Sequence, residues 1–537
     1  MSIVLGLNGA PLQGHDPAAA LIVNGRVVAA VEEERLCRKK RAMGLKPTNA
    51  ILEVLRMGNV TPNEVDIVAV PWLPKAMGYD ETELSLELRS WLASIGFNNS
   101  KLEIHFVEHH VAHAWSGLCF SSDLHKKYAI LVLDGSGEST GGAAFKFDKN
   151  LTCLWHLDQL SSAGIYYEAV TNYVGFSWGQ EGKTMGLAAY GRPSNILMPD
   201  IPDIRIQPPL KAWSKKNGSP KTRHESIRAS SVAAMQKING ELHTFNERAD
   251  IALAAQNIVL NVIMRYVREL SVDIDGLILA GGVALNCSIN VEVAKFCREH
   301  DIDFVVPPPA SDTGVALGAA ICVAYEKDGL QKMIDEPFLG AAFSMEDVEK
   351  EAQEMGLKFN LISYSDIVDK LYNQSYICGW FDGRSEIGPR ALGKRCIIAR
   401  PDSTYIRDKI NVLKGRESWR PLAPSVSQKE FERTFENSYP SRHMLINAQQ
   451  TYDNSAMRGV IHVDGTARPQ VVVDDCAYLK LIKEMGKYSG CEAIVCTSFN
   501  RAGEPIVYSP KDALISATAM GLNALVGDGW IVYLEER

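Results

Sequence analysis

The sequence contains no C-x-x-C pair, no long apolar run and no low-complexity tract. Each absence excludes something. Eleven cysteines, an odd number scattered along 537 residues, fit the reduced thiols of a cytoplasmic protein better than a disulfide framework or a zinc ribbon. The longest apolar run, around GVALGAAICVAY, is about a dozen residues, short of the roughly 18 that a membrane helix requires. No membrane partner is expected. The opening MSIVLGLNGA has neither a basic segment ahead of an apolar stretch nor a small-residue cleavage site, so no signal peptide is expected. Negative charge outnumbers positive, 64 Asp/Glu against 56 Lys/Arg. A net charge of −8 gives no overall attraction to nucleic acid or anionic lipid, so any anion binding must be local.

What is present is the composition of a folded globular protein, 46% hydrophobic and 22% charged. At about 150 residues per unit, the length predicts two or three domains. The first half repeats a pattern. SIVLGLNG is an apolar run ending in a Gly-rich turn, followed by two strand-like runs around Asn24-Gly25, a hairpin signal. Residues 128–157 do the same, with a hairpin around Asp148, Lys149 and Asn150, which predicts an internal duplication. Later, GLILAGGVALNCSINVEVAKF reads as strand, Gly281-Gly282 turn and helix, and DFVVPPPASDTGVALGAAICVAYE as strand, loop and helix. These are α/β signatures. A Pro/Gly-containing connection near residue 336 places the domain boundary there, giving domains 1–336 and 337–537. Beyond it the charge changes: Arg384 to Arg420 hold ten Lys/Arg against four Asp/Glu, a local balance of +6.

EHHVAHAWSG, residues 108–117, carries three histidines. If the segment from Val111 to Leu118 is helical, His109 and His113 at i and i+4 share a face and can meet one divalent ion, while His110 points elsewhere. By spacing alone, such histidines are more often capping or packing residues. Asp134 ends an apolar strand and Asp312 begins a helix, and in α/β folds strand ends and helix starts gather at one crevice. Singly, Asp134 also reads as a turn residue and Asp312 as an N-cap. Two imidazoles with two carboxylates suit iron, manganese or zinc.

These motifs stand in series with GQEGKTMGLAAYG (179–191), LAGGVALNC (279–287), SDTGVALGAA (311–320), GRSEIGPRALGKR (383–395), KGRESWRPLAPS (414–425) and TSFNRAGEPIV (497–507). Their order resembles that of the NodU/CmcH O-carbamoyltransferases over nearly the whole chain. The resemblance implies an α/β protein: a duplicated actin-like (ribonuclease H-like) N-terminal domain and a YrdC-like α/β C-terminal domain. It implies that His109, His113, Asp134 and Asp312 bind a metal, with Fe(II) the expected ion. It also places His15, in GHDPAAAL, beside the acceptor, where an imidazole can remove a hydroxyl proton. A turn histidine bonded to Asp16 is the ordinary alternative.

The implied reaction joins carbamoyl phosphate and ATP, with Mg2+, into carbamoyl adenylate, which calls for fixed cations and directional donors. Arg390 stands on a Gly388-Pro389 turn, and Lys414, Arg416 and Arg420 lie close together beside Trp419, where guanidinium forks suit phosphate oxygens. Arg468, Asn500 and Arg501 complete the site by resemblance. Many relatives place the last arginine one residue later, where this chain has Ala502. For the nucleotide or adenylate in the first domain, the resemblance points to Gly281, Gly282, Asn286, Lys40 and Lys183.

The reading is thus an ATP-dependent carbamoyltransferase acting on a hydroxyl, or an amine or guanidine, of a small molecule such as a sugar or other natural product, as in antibiotic biosynthesis. A tRNA-modifying carbamoyl transferase is one alternative, weakened by the acidic charge and the absence of a basic stripe. A non-catalytic nucleotide-binding protein of the actin-like superfamily is another. Residues 192–246, Pro-rich and irregular, are the natural place for acceptor-specific loops, and a homodimer is the commonest prior for assembly.

Overall fold

The computed structural model describes residues 2–12, 14–193, 195–214, 218–330, 333–435 and 438–534. Residues 194 and 215–217, part of the expected acceptor segment, lie outside the described residues. The chain divides into two compact units, one of Met1–Glu33 with Ala42–Glu336, the other of Glu34–Arg41 with Pro337–Arg537. Among the described residues no helix is long and apolar enough to cross a membrane.

The first unit is built twice over. Its first sheet comprises β1 (Ile3–Asn8), β2 (Ala18–Val23), β3 (Arg26–Glu32), β4 (Ile67–Val70) and β5 (Glu103–Phe106), in the order β3-β2-β1-β4-β5. β1, β2 and β3 are antiparallel neighbours, whereas β1–β4 and β4–β5 are parallel. The second sheet comprises β6 (Tyr128–Leu133), β7 (Thr140–Asp148), β8 (Asn150–Asp158), β9 (Arg205–Ile206), β10 (Gly276–Ala280) and β11 (Asp303–Val305), in the order β11-β10-β6-β7-β8-β9. Three antiparallel strands followed by two parallel ones appear again, with β9 added at the edge. The predicted duplication is this repeated sheet, the actin-like arrangement.

Turn chemistry sets the two hairpins. Asn24 (φ 53°), Gly25 (φ 70°) and Lys149 (φ 63°) hold the left-handed backbone that tight hairpins need. Strands such as β6, buried at every position, are apolar throughout because both faces of the sheet are covered.

Each repeat ends in a helix: His109–Leu118 after β5, and Val315–Asp328 after β11. The two pack closely because Gly318 has no side chain. A Cβ there would stand 1.8 Å from the Ala112 carbonyl oxygen. Gly6 of β1 admits the same second helix, since its Cβ would lie 2.0 Å from the Ala316 carbonyl oxygen. Gly318→Val should therefore push the helices apart, at the cost of overpacking, about 1–3 kcal/mol. Circular dichroism should show the first unit melting several degrees lower, at about 2–4 °C per kcal/mol. An unchanged melting temperature would mean the crossing is looser than described.

The second unit has an eight-stranded mixed sheet of β12 (Lys358–Leu361), β13 (Cys378–Phe381), β14 (Arg395–Ala399), β15 (Ala423–Ser427), β18 (Gln470–Val472), β19 (Ala493–Ser498), β20 (Ala524–Gly527) and β21 (Trp530–Tyr533). The short strands β16 (Ala448–Gln449) and β17 (Thr466–Ala467) pair separately. One apolar core includes Val348, Ala352, Leu514 and Ala517, and the other includes Ile367, Leu371, Ile482 and Met485. The segment Glu34–Arg41 joins this unit: Arg38 donates to the Ile506 carbonyl at 2.7 Å and the Pro505 carbonyl at 3.0 Å. Nothing in the sequence pattern announced that excursion.

Candidate metal centre and cationic site

In the first unit the duplication brings four donors together. His109 and His113 lie on the helix of the first repeat, Asp134 follows β6, and Asp312 opens the turn before the helix of the second repeat. Their donor atoms all lie within 4.8 Å of one another. The two Nε2 atoms are 3.1 Å apart. Asp134 Oδ2 lies 3.3 Å from His109 Nε2 and 3.8 Å from His113 Nε2, and Asp312 Oδ1 lies 3.5 and 3.4 Å from the same nitrogens. Donors about 2.1 Å from a tetrahedral ion stand about 3.4 Å from each other, so the four fit a single divalent ion. Two carboxylates offset its charge, and the N2O2 donor set suits iron, manganese or zinc.

The ordinary alternatives fail for both carboxylates. Asp134 is not spent on its own turn: its Oδ1 accepts from the Gly282 N–H at 3.3 Å, and its Oδ2 faces the imidazoles. Asp312 lies in the short turn ahead of its helix, with its carboxylate against His109, His113 and His15. Burial and the neighbouring Asp312 push the Asp134 carboxyl up, but the two imidazoles outweigh them and bring it to about 2. Burial pushes the His109 imidazole down, and Asp312 and Asp134 raise it well above its ordinary range.

Support comes from residues that the sequence did not mark. Trp72 stacks on His109 with centroids 4.1 Å apart and donates Nε1–H to Asn8 Oδ1 at 3.0 Å. Glu138 accepts from the His109 N–H at 2.8 Å and the Leu73 N–H at 3.0 Å, serving as the cap that the helix lacks in its own N-cap residue. Neither bond has a sequence signature.

His15 stands beside the cluster, its Nδ1 2.9 Å from Asp16 Oδ2 and 3.8 Å from Asp312 Oδ2. Its side chain is 39% exposed, so solutes can reach it, and the Trp178 ring lies edge-on at 5.2 Å. The partnership with Asp16 is present, and His15 also lies beside the candidate centre.

The other expected contacts of this domain fall differently. Gly281 (φ 86°) and Gly282 pack against the end of β6: a Cβ on Gly281 would lie 2.2 Å from the Leu133 carbonyl oxygen. Their visible work is to seat Asp134. Asn286 exchanges two hydrogen bonds with Gln256, at 2.9 and 3.0 Å, and caps the helix Cys287–Glu299. Lys183 lies in the first turn of the helix Glu181–Ala188, with Nζ 5.4 Å from the Phe176 ring centroid. Lys40 belongs to the segment grouped with the second unit and pairs with Glu34 at 3.1 Å.

In the second unit much of the predicted basic run is structural. Arg395, fully buried, donates to the carbonyls of Asp382, Lys394, Gly383 and Tyr508, and Arg384 donates to those of Gly340 and Leu339. Lys394, Arg400 and Arg407 pair with Asp382, Asp402 and Asp408. Of the remainder, Lys409 is exposed, and Arg390, Lys414, Arg416 and Arg420 converge. Lys414, buried at the end of the helix Thr404–Leu413, donates to the Ser498 and Asn500 carbonyls and to Asn500 Oδ1. Burial, with Arg416 and Arg420 beside it, pushes Lys414 well below its ordinary range. Burial and the charges of Arg420, Arg468 and Arg390 bring Arg416 down to about 9. Glu417 is the acidic neighbour, 3.8 Å from Arg420. Arg501 does not join this group: it pairs with Glu504 three residues on, while Ala502 lies against Gly415.

The protein thus combines a duplicated actin-like unit holding a buried His–Asp cluster with a second α/β unit in which a buried lysine and half-buried arginines converge. Both parts match known families: carbamoyltransferase N-terminus over residues 91–321 and carbamoyltransferase C-terminus over residues 369–533. Nodulation protein NolNO of Sinorhizobium fredii is 31% identical, over 96% of this chain and 79% of its own. Nodulation protein NolO of Bradyrhizobium diazoefficiens is 29% identical, over 79% of this chain and 78% of its own. The 3'-hydroxymethylcephem-O-carbamoyltransferase of Streptomyces clavuligerus is 24% identical, over 96% of this chain and 97% of its own. The chain belongs to the carbamoyltransferase family and is a carbamoyltransferase.

Proposed function

We propose that the protein makes carbamoyl adenylate from carbamoyl phosphate and ATP in the second unit, and transfers the carbamoyl group in the first to a hydroxyl of a small-molecule acceptor. The convergence of buried Lys414 with half-buried Arg416, Arg420, Arg390 and Arg468 carries the reading. Five positive charges gathered in partly desolvated positions, with Glu417 as acidic neighbour, are complementary to a polyanion. For both phosphate and pyrophosphate to leave, water first opens the carbamoyl phosphate. The carbamate oxygen then attacks the α-phosphorus of ATP, and the arginine forks hold the departing pyrophosphate while Lys414 faces the charge that develops. Mg2+ accompanies the ATP.

In the first unit, Asp16 orients His15 through Nδ1, so that Nε2 carries the basic lone pair that takes the acceptor's hydroxyl proton. A divalent ion, Fe(II) or another, held by His109, His113, Asp134 and Asp312 supplies a Lewis acid near the leaving adenylate. A hydroxyl acceptor is supported by the cephem O-carbamoyltransferase relative, whose name specifies a hydroxymethyl group. The direct test incubates the protein with carbamoyl phosphate, ATP and Mg2+ without acceptor. Carbamoyl adenylate detected by mass spectrometry, with carbamoyl phosphate-dependent pyrophosphate, is the expected result. Folded, metal-loaded protein that releases none would end the reading.

The depressed cations give a second check. Lys414 and Arg416 hold their protons weakly because of burial and mutual repulsion, and a bound polyanion restores both. Binding should therefore be accompanied by proton uptake at alkaline pH. Calorimetry of carbamoyl phosphate binding in two buffers of different ionisation enthalpy should show that uptake, reduced in Lys414→Ala. Proton release would contradict it.

A further inference from the structure

A second set of donors gathers at the start of the helix that presents His109 and His113, where β8 passes it. Glu108, His110 and His156 each offer a ligand atom within 4.8 Å of the other two. Glu108 Oε1 lies 3.4 Å from His156 Nδ1. Both histidine side chains are fully buried, and Glu108 Oε1, His110 Nε2 and His156 Nδ1 have no hydrogen-bond partner among the described residues. Native interiors rarely leave such groups unsatisfied, and here three face one another.

The outer nitrogens, by contrast, are anchored. His110 Nδ1 lies 3.3 Å from Thr140 Oγ1, and His156 Nε2 lies 3.3 Å from Cys153 Sγ. One nitrogen held by a neighbour and the other turned inward is how ligating imidazoles are oriented. Glu108 has no structural task that accounts for its position. It occupies the N-cap of the helix His109–Leu118, yet its carboxylate caps nothing, and Glu138 accepts the first helical N–H instead. Among the described residues, its ion-pair neighbour is His156 and no Lys or Arg.

We infer that Glu108, His110 and His156 bind a second divalent transition-metal ion beside the His109–His113 centre. Two imidazoles and one carboxylate form a donor set that zinc, iron or cobalt accepts. The two sets are close, with the His109 and His110 ring centroids 5.6 Å apart, but they share no ligand. The ion would tie β8 to the first turn of the helix and so fix the backbone that aims His109.

The test counts ions in the full-length protein, stripped by chelator and titrated anaerobically with Co(II), with bound metal measured by mass spectrometry after dialysis. Two ions per chain are expected in the wild type. Glu108→Gln, which preserves shape, and His156→Ala should each bind one, as should His113→Ala. The double variant His113→Ala with Glu108→Gln should bind none. A wild type that binds a single ion, lost in His113→Ala and kept in Glu108→Gln, overturns the second site. So does folded Glu108→Gln that still binds two. Should His156→Ala fail to fold, Glu108→Gln decides alone.

Discussion

Lys414→Ala should lower carbamoyl phosphate-dependent pyrophosphate release by about a thousandfold, the upper end of what removing one preorganised donor costs. The Lys414 nitrogen is surrounded by acceptors from the end of β19, the Ser498 carbonyl and the Asn500 carbonyl and amide oxygen, which fix its position before any substrate arrives. Positioning of that kind is what makes a charge effective in a transition state, because it needs no reorganisation when charge develops. A purely structural lysine predicts something else: a lower melting temperature with catalysis per folded molecule intact. Measuring both on the same preparation separates the two.

His113→Ala should act on the other half-reaction. Loss of a direct ligand should weaken the ion in the His–Asp centre by at least about 100-fold, since changes in partners behind the ligands alone cost 10–100-fold. Carbamoyl transfer to an acceptor should fall with it, while acceptor-free pyrophosphate release persists, because the second unit keeps its own cations. The retained half-reaction is the essential observation. If His113→Ala abolishes adenylate formation as well, the division of labour between the units is wrong.

The duplication was legible in the sequence because its punctuation is local. Asn24-Gly25 and Asp148 to Asn150 each fix a hairpin through their own backbone preferences, and the apolar runs before them have the length of strands. The imidazole pair was legible for a similar reason, since helical spacing puts His109 and His113 on one face. Asp134 and Asp312 needed the family resemblance, because a carboxylate at a strand end or helix start has an ordinary explanation that only convergence in space removes. What escaped reading depends on long-range packing. Gly281 reads as a phosphate-approach glycine, and the sequence does not show that its missing Cβ also makes room for the Leu133 carbonyl oxygen. Arg501 reads as an anion ligand, yet Glu504, three residues on, takes it. The charge of the 384–420 segment was correctly seen as concentrated, but not that Arg384 and Arg395 are consumed by backbone carbonyls. Glu108 and His156 come together only because β8 returns past the start of the helix, a meeting that no spacing rule anticipates.

The origin of the four ligands in two copies of one motif has a mechanical meaning. Two imidazoles come from the first repeat and two carboxylates from the second, so an ion bound among them is a rivet through a seam left by duplication. Free metal at a thousand times its dissociation constant stabilises the closed seam by about 4 kcal/mol, and any sliding of the repeats that parts the ligands must release the ion first. Metal occupancy therefore reports how tightly the two copies are joined.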